Sequence, residues 1–220
     1  MTVAEKALEY IRDGMVVGLG TGRAATAFVR ALGERVNAGL NIRGVPTSAA
    51  SEALARSLGI PLTTLDEVDA IDVAVDGADE VDPALNLIKG LGGALVREKV
   101  VASAARLFIV VVGPEKLVKK LGARGKLPVE VVPFAAGYCR RRLASMGMDA
   151  SPRMAGGGLY HSDNLNDILD ARVAAIDDPP ALDLALRAIP GVVGTGLFLG
   201  MAHAVLVEDG DGVRVLERSS

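Results

Sequence analysis

Residues 71–99, IDVAVDGADEVDPALNLIKGLGGALVREK, run through a strand, a glycine-rich turn and the start of a helix without interruption. Ile71-Asp72-Val73-Ala74-Val75 is nearly all apolar, which predicts a short buried strand. Asp76 and Asp79 then fall where the chain leaves the sheet, the edge at which open α/β sheets bind ligands. Beyond Gly90-Leu91-Gly92-Gly93, residues 94–105 hold neither Pro nor Gly and many good helix formers, so Glu98 is expected about one turn into a helix. Carboxylates at a strand tip, a lysine (Lys89) just before a glycine turn and a carboxylate near a helix start are parts for proton transfer on a small polar molecule. The bland alternative is a set of solvated turn charges. Against it, the strand feeding Asp76 is apolar and the flanking glycines clear room for a ligand to approach the backbone. Glu80 and Asp82 read as exposed turn charges.

The alternation extends outward. Residues 15–19 predict a strand, Gly20-Thr21-Gly22 a turn and 24–36 a helix. A strand over 41–45, a helix over 51–58 with Thr47 or Ser48 near its cap and a strand over 60–63 follow. Residues 107–112 form the last strong strand, ending at Gly113-Pro114. This spacing predicts a Rossmann-like, doubly wound, mostly parallel sheet. After Gly125 the character changes to a strand over 128–133, a helix over 135–146, strands over 153–161 and 166–172, a helix opened by Asp178-Pro179-Pro180 with Leu182, Leu186 and Ile189 on one face, and Val192-Val193. That order predicts a smaller α+β domain of the ferredoxin-like split βαβ kind. Strands over 204–207 and 213–216, separated by Asp209-Gly210-Asp211-Gly212, are expected to rejoin the first domain. The expected domains are therefore 1–125 with 201–220, and 126–200.

Half of the 220 residues are apolar, yet only 3% are aromatic and none is Trp, so the core must be built from Ala, Val, Leu and Ile. A net charge of −3 and the scarcity of aromatics leave no footprint for a nucleic acid. The one basic run, Arg140-Arg141-Arg142, reads as a solvated helix face. A single cysteine, Cys139, cannot form an intramolecular disulfide, and the N-terminus lacks the order of a secretory signal; the expected location is the cytoplasm. Residues 189–207 carry no formal charge over nearly the length of a membrane span, but Pro190, four glycines and His203 break the run, so no membrane contact is expected. His161 and His203 lie far apart with no cysteine nearby, and no metal site is expected. Cys139 has no partner histidine in reach and makes a poor catalytic thiol.

The turn Gly18-Leu19-Gly20-Thr21-Gly22 can cradle a phosphate, because helix-start amides and the helix dipole attract anions. From this segment alone a ligand-free tight turn stands equally open. The dinucleotide fingerprint is not completed, since its third glycine falls at Ala25 or Arg23 according to register. Lys116 can add a counter-charge at the same sheet edge, or be an ordinary surface lysine.

Taken in order, VVGLGTG (16–22), VPTSAASEALARSLGIPL (45–62), VDGADEVD (75–82), IKGLGGALVREKVVA (88–102), PVEVVPFA (128–135), DNLNDILD (163–170) and IPGVVGTGLFLGMAHAVLV (189–207) resemble ribose-5-phosphate isomerase of the A type nearly end to end. The resemblance implies interconversion of D-ribose 5-phosphate and D-ribulose 5-phosphate in the pentose phosphate pathway, with no metal or organic cofactor, by a homo-oligomer, usually a dimer or tetramer. It places Glu98 on the family's proton acceptor and Asp76, Asp79 and Lys89 on its other active-site groups. Thr21, Gly22, Arg23, Ala24, Asp76, Gly77, Ala78, Asp79, Lys89, Gly90, Leu91, Gly92 and Lys116 fall on its substrate-binding positions. The family's first loop usually reads G-T-G-S-T, whereas here Arg23 and Ala24 replace the two hydroxyl residues. Lys6 is out of register with a family lysine that helps hold phosphate; Arg23 can compensate through its planar donor fork if it turns inward, and the loop's backbone amides remain in either case. Gly194 and His203 also depart from the family pattern, outside the catalytic set. Two rivals stand beside this reading: a related enzyme acting on an amino-sugar phosphate or a sugar lactone, and a sugar-phosphate sensor. The first calls for a histidine near the motif, and the second has no use for the acid–base set.

Overall fold

The computed structural model describes residues 1–210 and 212–218. In chain order the elements are α1 (Val3–Leu8), β1 (Val16–Leu19), α2 (Arg23–Asn37), β2 (Arg43–Pro46), α3 (Ala49–Ser57), β3 (Ile71–Asp76), β4 (Glu80–Val81), β5 (Leu87–Ile88), α4 (Leu95–Ala104) and β6 (Ala105–Val112). There follow β7 (Lys126–Val131), α5 (Ala136–Ser145), β8 (Ala150–Pro152), β9 (Met154–Ala155), β10 (Gly158–Leu159), β11 (Asp167–Arg172), α6 (Pro179–Arg187), β12 (Val192–Thr195), β13 (Leu197–Phe198), β14 (Ala204–Asp209) and β15 (Gly212–Glu217). Two compact units result. Met1–Ala78, Arg97–Lys116 and Gly200–Ser220 make the first, and Asp79–Val96 with Leu117–Leu199 the second.

The first unit is built on a sheet of order β15-β14-β6-β3-β1-β2, parallel throughout except for β15. From β1 the chain goes out to β2 and comes back to β3 on the other side, so the C-terminal ends of β1 and β3 flank the point where the winding reverses. Leu19, Val73, Val75, Ile109 and Val111 pack with Phe28, Val29 and Leu32 of α2. Each such side chain stabilises the unit by roughly 1.5–3 kcal/mol when fully buried. On the other face, a Cβ at Gly18 would overlap Val101 of α4 and Ala74, so glycine there lets helix and sheet approach. Of the two residues expected near the cap, Ser48 caps α3, through a reciprocal box with Ser51.

In the second unit, β7, β8, β11 and β12 form an antiparallel sheet of order β12-β7-β11-β8, which with α5 after β7 and α6 after β11 is the ferredoxin-like arrangement. Leu127, Val129, Val131, Leu169 and Ala171 pack with Cys139 and Leu143 of α5 and Leu186 of α6. Arg140, Arg141 and Arg142 are exposed on α5. Asp178 caps α6, its side chain accepting from Ala181 N at 2.9 Å. A separate three-stranded sheet, β13-β5-β4, is antiparallel.

Three local expectations are corrected. Residues 60–63 make only a single bridge, Leu62 to Gly44, because Pro61 has no N–H to extend a ladder. Residues 153–161 are not one strand but the short hairpin β9–β10, folded at Gly156 and Gly157, both at positive φ; the strand that edges the sheet is Ala150–Pro152. Glu80 is not an exposed turn charge. It is buried, and its two carboxylate oxygens accept from Gly122 N (2.6 Å) and Arg124 N (2.7 Å). Asp211, within the expected 209–212 turn, lies outside the described residues.

Candidate active site

In the first unit Thr21, Asp76 and Gly77 come together at the C-terminal ends of β1 and β3. Asp76 closes β3 and is only 3% exposed, with its Oδ1 accepting from Thr21 N (3.1 Å) and Gly77 N (2.7 Å). Gly20 N donates to Val75 O at 3.0 Å, and any Cβ at Gly20 would overlap the Asp76 carboxylate, so the turn needs glycine for close approach. The Thr21 hydroxyl is held by Thr47 Oγ1 (2.7 Å) and Ser48 Oγ (2.8 Å), and Thr47 Oγ1 donates to Leu19 O. These hydroxyls tie the loop after β1 to the loop after β2.

Gly22 is the N-cap of α2, at φ 98° and with no side-chain cap, so the first-turn amides and the helix dipole face outward together. Arg23 and Ala24 are the first two helical residues. They line a cavity of about 640 Å³ together with Arg30, Gly113, Pro114 and Glu115. Lys116 ends the 3₁₀ turn Pro114–Lys116 and is half-buried. Gly77 and Ala78 are also half-buried. Glu98 is the fourth residue of α4 and 4% exposed, at the helix end where a carboxylate is favoured by the dipole.

In the second unit, Lys89 follows β5 and is 3% exposed. Its N–H donates to Gly196 O (2.9 Å), and its ammonium lies 5.5 Å from the centroid of the Phe198 ring. Asp79 N donates to Ile88 O (2.8 Å), and Asp79 Oδ2 accepts from Leu91 N (3.0 Å). The turn Gly90-Leu91-Gly92-Gly93 closes through Gly93 N to Gly90 O at 3.0 Å, with positive φ at Gly90 and Gly93. So Asp79, Lys89 and the glycine turn come together in this unit, while Thr21 and Gly77 join Asp76 in the other.

Several contacts in these surroundings carry no local sequence signal. Thr47, Ser48, Phe198 and Arg153 reach their partners over 26 to 109 positions, a distance that periodicity cannot span. The remaining candidates are structural. His203 Nδ1 accepts from Phe108 N (3.0 Å), and His161 Nδ1 lies 2.9 Å from Asp167 Oδ1. Burial pushes the Cys139 thiol above its ordinary range, which keeps it protonated and inert. Among the described residues no group of three or more His, Cys, Asp or Glu is arranged to hold a metal ion. Among the same residues no helix is long and apolar enough to cross a membrane.

Comparison with known proteins converges on one family. The model of ribose 5-phosphate isomerase A (phosphoriboisomerase A) matches residues 43–212. A ribose-5-phosphate isomerase A of Bradyrhizobium diazoefficiens is 51% identical over 226 residues, covering 98% of this chain and 93% of that protein. One from Roseiflexus castenholzii is 50% identical over 217 residues, covering 97% and 93%. Among solved structures, the ribose 5-phosphate isomerase A of Methanocaldococcus jannaschii superposes with a TM-score of 0.94 at 44% identity, covering 98% of this chain and 96% of that one. A D-ribose-5-phosphate isomerase in complex with phospho-erythronic acid gives a TM-score of 0.94 at 46% identity with the same coverage. With matches of this depth over nearly its whole length, the chain belongs to the ribose 5-phosphate isomerase A family, a family of isomerases.

Proposed function

We propose that this chain interconverts D-ribose 5-phosphate and D-ribulose 5-phosphate through an enediolate, as a step of the pentose phosphate pathway, and that it needs no metal or organic cofactor. Glu98 takes the proton from C2 of the open-chain aldose and returns it to C1, while a second proton passes from O2 to O1. Abstraction next to a carbonyl is costly unless fixed donors meet the charge that develops on oxygen, and Lys89 with the glycine-turn amides fills that role. Asp76 and Asp79 orient the substrate hydroxyls, assist ring opening and move protons between oxygens. The phosphate is held by the amides at the start of α2, with Arg23 and Lys116 as counter-charges and Thr21 to Ala24 shaping the cradle.

The observation that carries this reading is the burial of three charged side chains, Asp76, Lys89 and Glu98, each under 5% exposed and each beside a glycine turn or a helix start. Burying a charge is costly unless it is paired and hydrogen-bonded, and buried charges beside turns and helix starts are candidates for acid–base work. A relative solved with phospho-erythronic acid supports a small phosphorylated ligand. We also place the chain in the cytoplasm as a homo-oligomer, a dimer or tetramer. Phe134 is fully exposed in the second unit, and Val132, Tyr138 and Val193 are exposed near it along the chain or across the adjoining strand; apolar surface of this kind marks a protein contact.

One assay tests the chemistry. Turnover of ribose 5-phosphate is measured beside arabinose 5-phosphate and glucosamine 6-phosphate. Efficient turnover of the ribose ester alone is expected, and preference for either of the others would replace this reading. In the same assay Arg23→Ala is expected to raise KM about tenfold with kcat nearly unchanged, the signature of lost uniform binding. A change confined to kcat would remove Arg23 from the phosphate site.

A further inference from the structure

We propose that Arg153 is a positioning residue: it locks the Leu91–Gly92 peptide in the orientation that presents the Gly92 N–H to the substrate oxyanion. The proposal rests on the isomerase reading above. Arg153 is nearly buried, and its Nη1 donates to Gly90 O (2.8 Å) and to Leu91 O (3.1 Å). The rest of the fork is occupied. Nε donates to Asp170 Oδ2 at 3.1 Å, Nη2 to Asp170 Oδ1, and the guanidinium lies 5.9 Å from the centroid of the Tyr160 ring.

This arginine is itself held in place. Its backbone N donates to Ile168 O (2.8 Å) and its carbonyl accepts from Tyr160 N (2.9 Å). Asp170 is pinned from a second side by Lys126 Nζ at 2.9 Å. Burial opposes the charge on Asp170, but hydrogen bonds from Arg153 and Lys126, and their charges, outweigh it and hold the carboxyl below the ordinary aspartate range. The Tyr160 ring closes over Gly93, where any Cβ would overlap its hydroxyl.

The geometry of the peptide unit supplies the rest. No peptide bond in the described chain is cis, and in a trans peptide the C=O and N–H point in opposite directions. Drawing Gly90 O toward Arg153 therefore turns Leu91 N–H the other way, where it meets Asp79 Oδ2 at 3.0 Å. Drawing Leu91 O toward the same nitrogen turns Gly92 N–H away from the guanidinium as well, at an exposed position. The two amides thus leave the turn on the side opposite Arg153, one tethered to Asp79 and the next open to a ligand. The Leu91–Gly92 peptide is the central peptide of a four-residue turn, the unit that rotates by half a turn between the two common turn types, and glycine in the third position admits both. Flipped, it would offer a carbonyl oxygen where the oxyanion needs a donor. The bond from Arg153 to Leu91 O selects the productive orientation.

The test uses the full-length chain carrying Arg153→Met or Arg153→Lys. Lysine keeps the charge but cannot fork to Asp170 and two carbonyls at once. Three quantities are read: kcat, the affinity for a planar anionic mimic of the enediolate (a four-carbon phosphorylated hydroxamate), and the affinity for a saturated ground-state ligand, ribitol 5-phosphate. Both variants are expected to lose on the order of 10- to 100-fold in kcat and a similar factor in mimic affinity, with ribitol 5-phosphate binding unchanged. Unchanged kcat, or an equal loss for both ligands, would overturn the role. If Arg153→Met fails to fold, Arg153→Lys decides on the same readouts. Absence of ribose 5-phosphate turnover by the unaltered chain would instead count against the isomerase reading itself.

Discussion

Replacing Glu98 with Gln is expected to lower kcat by about 10²–10⁴ while substrate affinity stays within a few-fold. The substitution keeps shape and hydrogen-bonding reach but removes the only property a proton carrier needs, a basic oxygen. Glu98 sits in the first turn of α4, 4% exposed, and the helix dipole favours negative charge at that end. A carboxamide fits the same space without that charge, so the fold should be retained. The second readout is exchange of the C2 hydrogen with solvent, which should vanish together with turnover. Retained exchange with lost turnover would shift Glu98 from the proton transfer to a later step. A wild-type rate would end the assignment.

Lys89→Met is expected to cost about 10²–10³ in kcat, the loss typical of removing one donor to a developing oxyanion. Methionine approximates the volume of lysine and keeps the contact with the Phe198 ring, so circular dichroism and thermal melting serve as controls for the fold. Lys89→Arg is the sharper comparison. It preserves charge, yet a planar guanidinium cannot replace a compact ammonium at a position 3% exposed, packed against Phe198 and closed off where Gly196 meets the Lys89 backbone. Arginine should therefore fail nearly as badly as methionine. Full activity in Lys89→Arg would mean that charge alone matters, and activity within threefold in Lys89→Met would remove Lys89 from the chemistry.

The large sheet was legible because its strands are short apolar runs ended by glycine turns or charged residues, and its helices carry their own start signals. Ser48 before α3 and Asp178 before Pro179 are such signals, and both side chains accept the capping bonds they imply. Pattern failed where one residue changes the outcome. The missing N–H of Pro61 reduced an expected strand to one bridge, and Gly156-Gly157 folded another into a hairpin. Glu80 has the look of a turn charge, yet the backbone amides of Gly122 and Arg124, more than forty positions away, draw it into the interior.

The sequence alone was enough to determine the alternation of strands and helices, hence a parallel sheet, and the placement of Asp76, Asp79, Lys89 and Glu98 at a strand end, a glycine turn and a helix start. All of these follow from local propensity and period, which act over a few residues. Only the tertiary structure decided that residues 79–96 pack with the second unit, that the Thr21 hydroxyl rests on Thr47 and Ser48, and that Arg153 reaches back sixty-odd positions to the carbonyls of Gly90 and Leu91. Such contacts form between segments with no pattern in common. They exist because the folded chain brings together donors and acceptors that it has partly withdrawn from water, where an unmade hydrogen bond is costly.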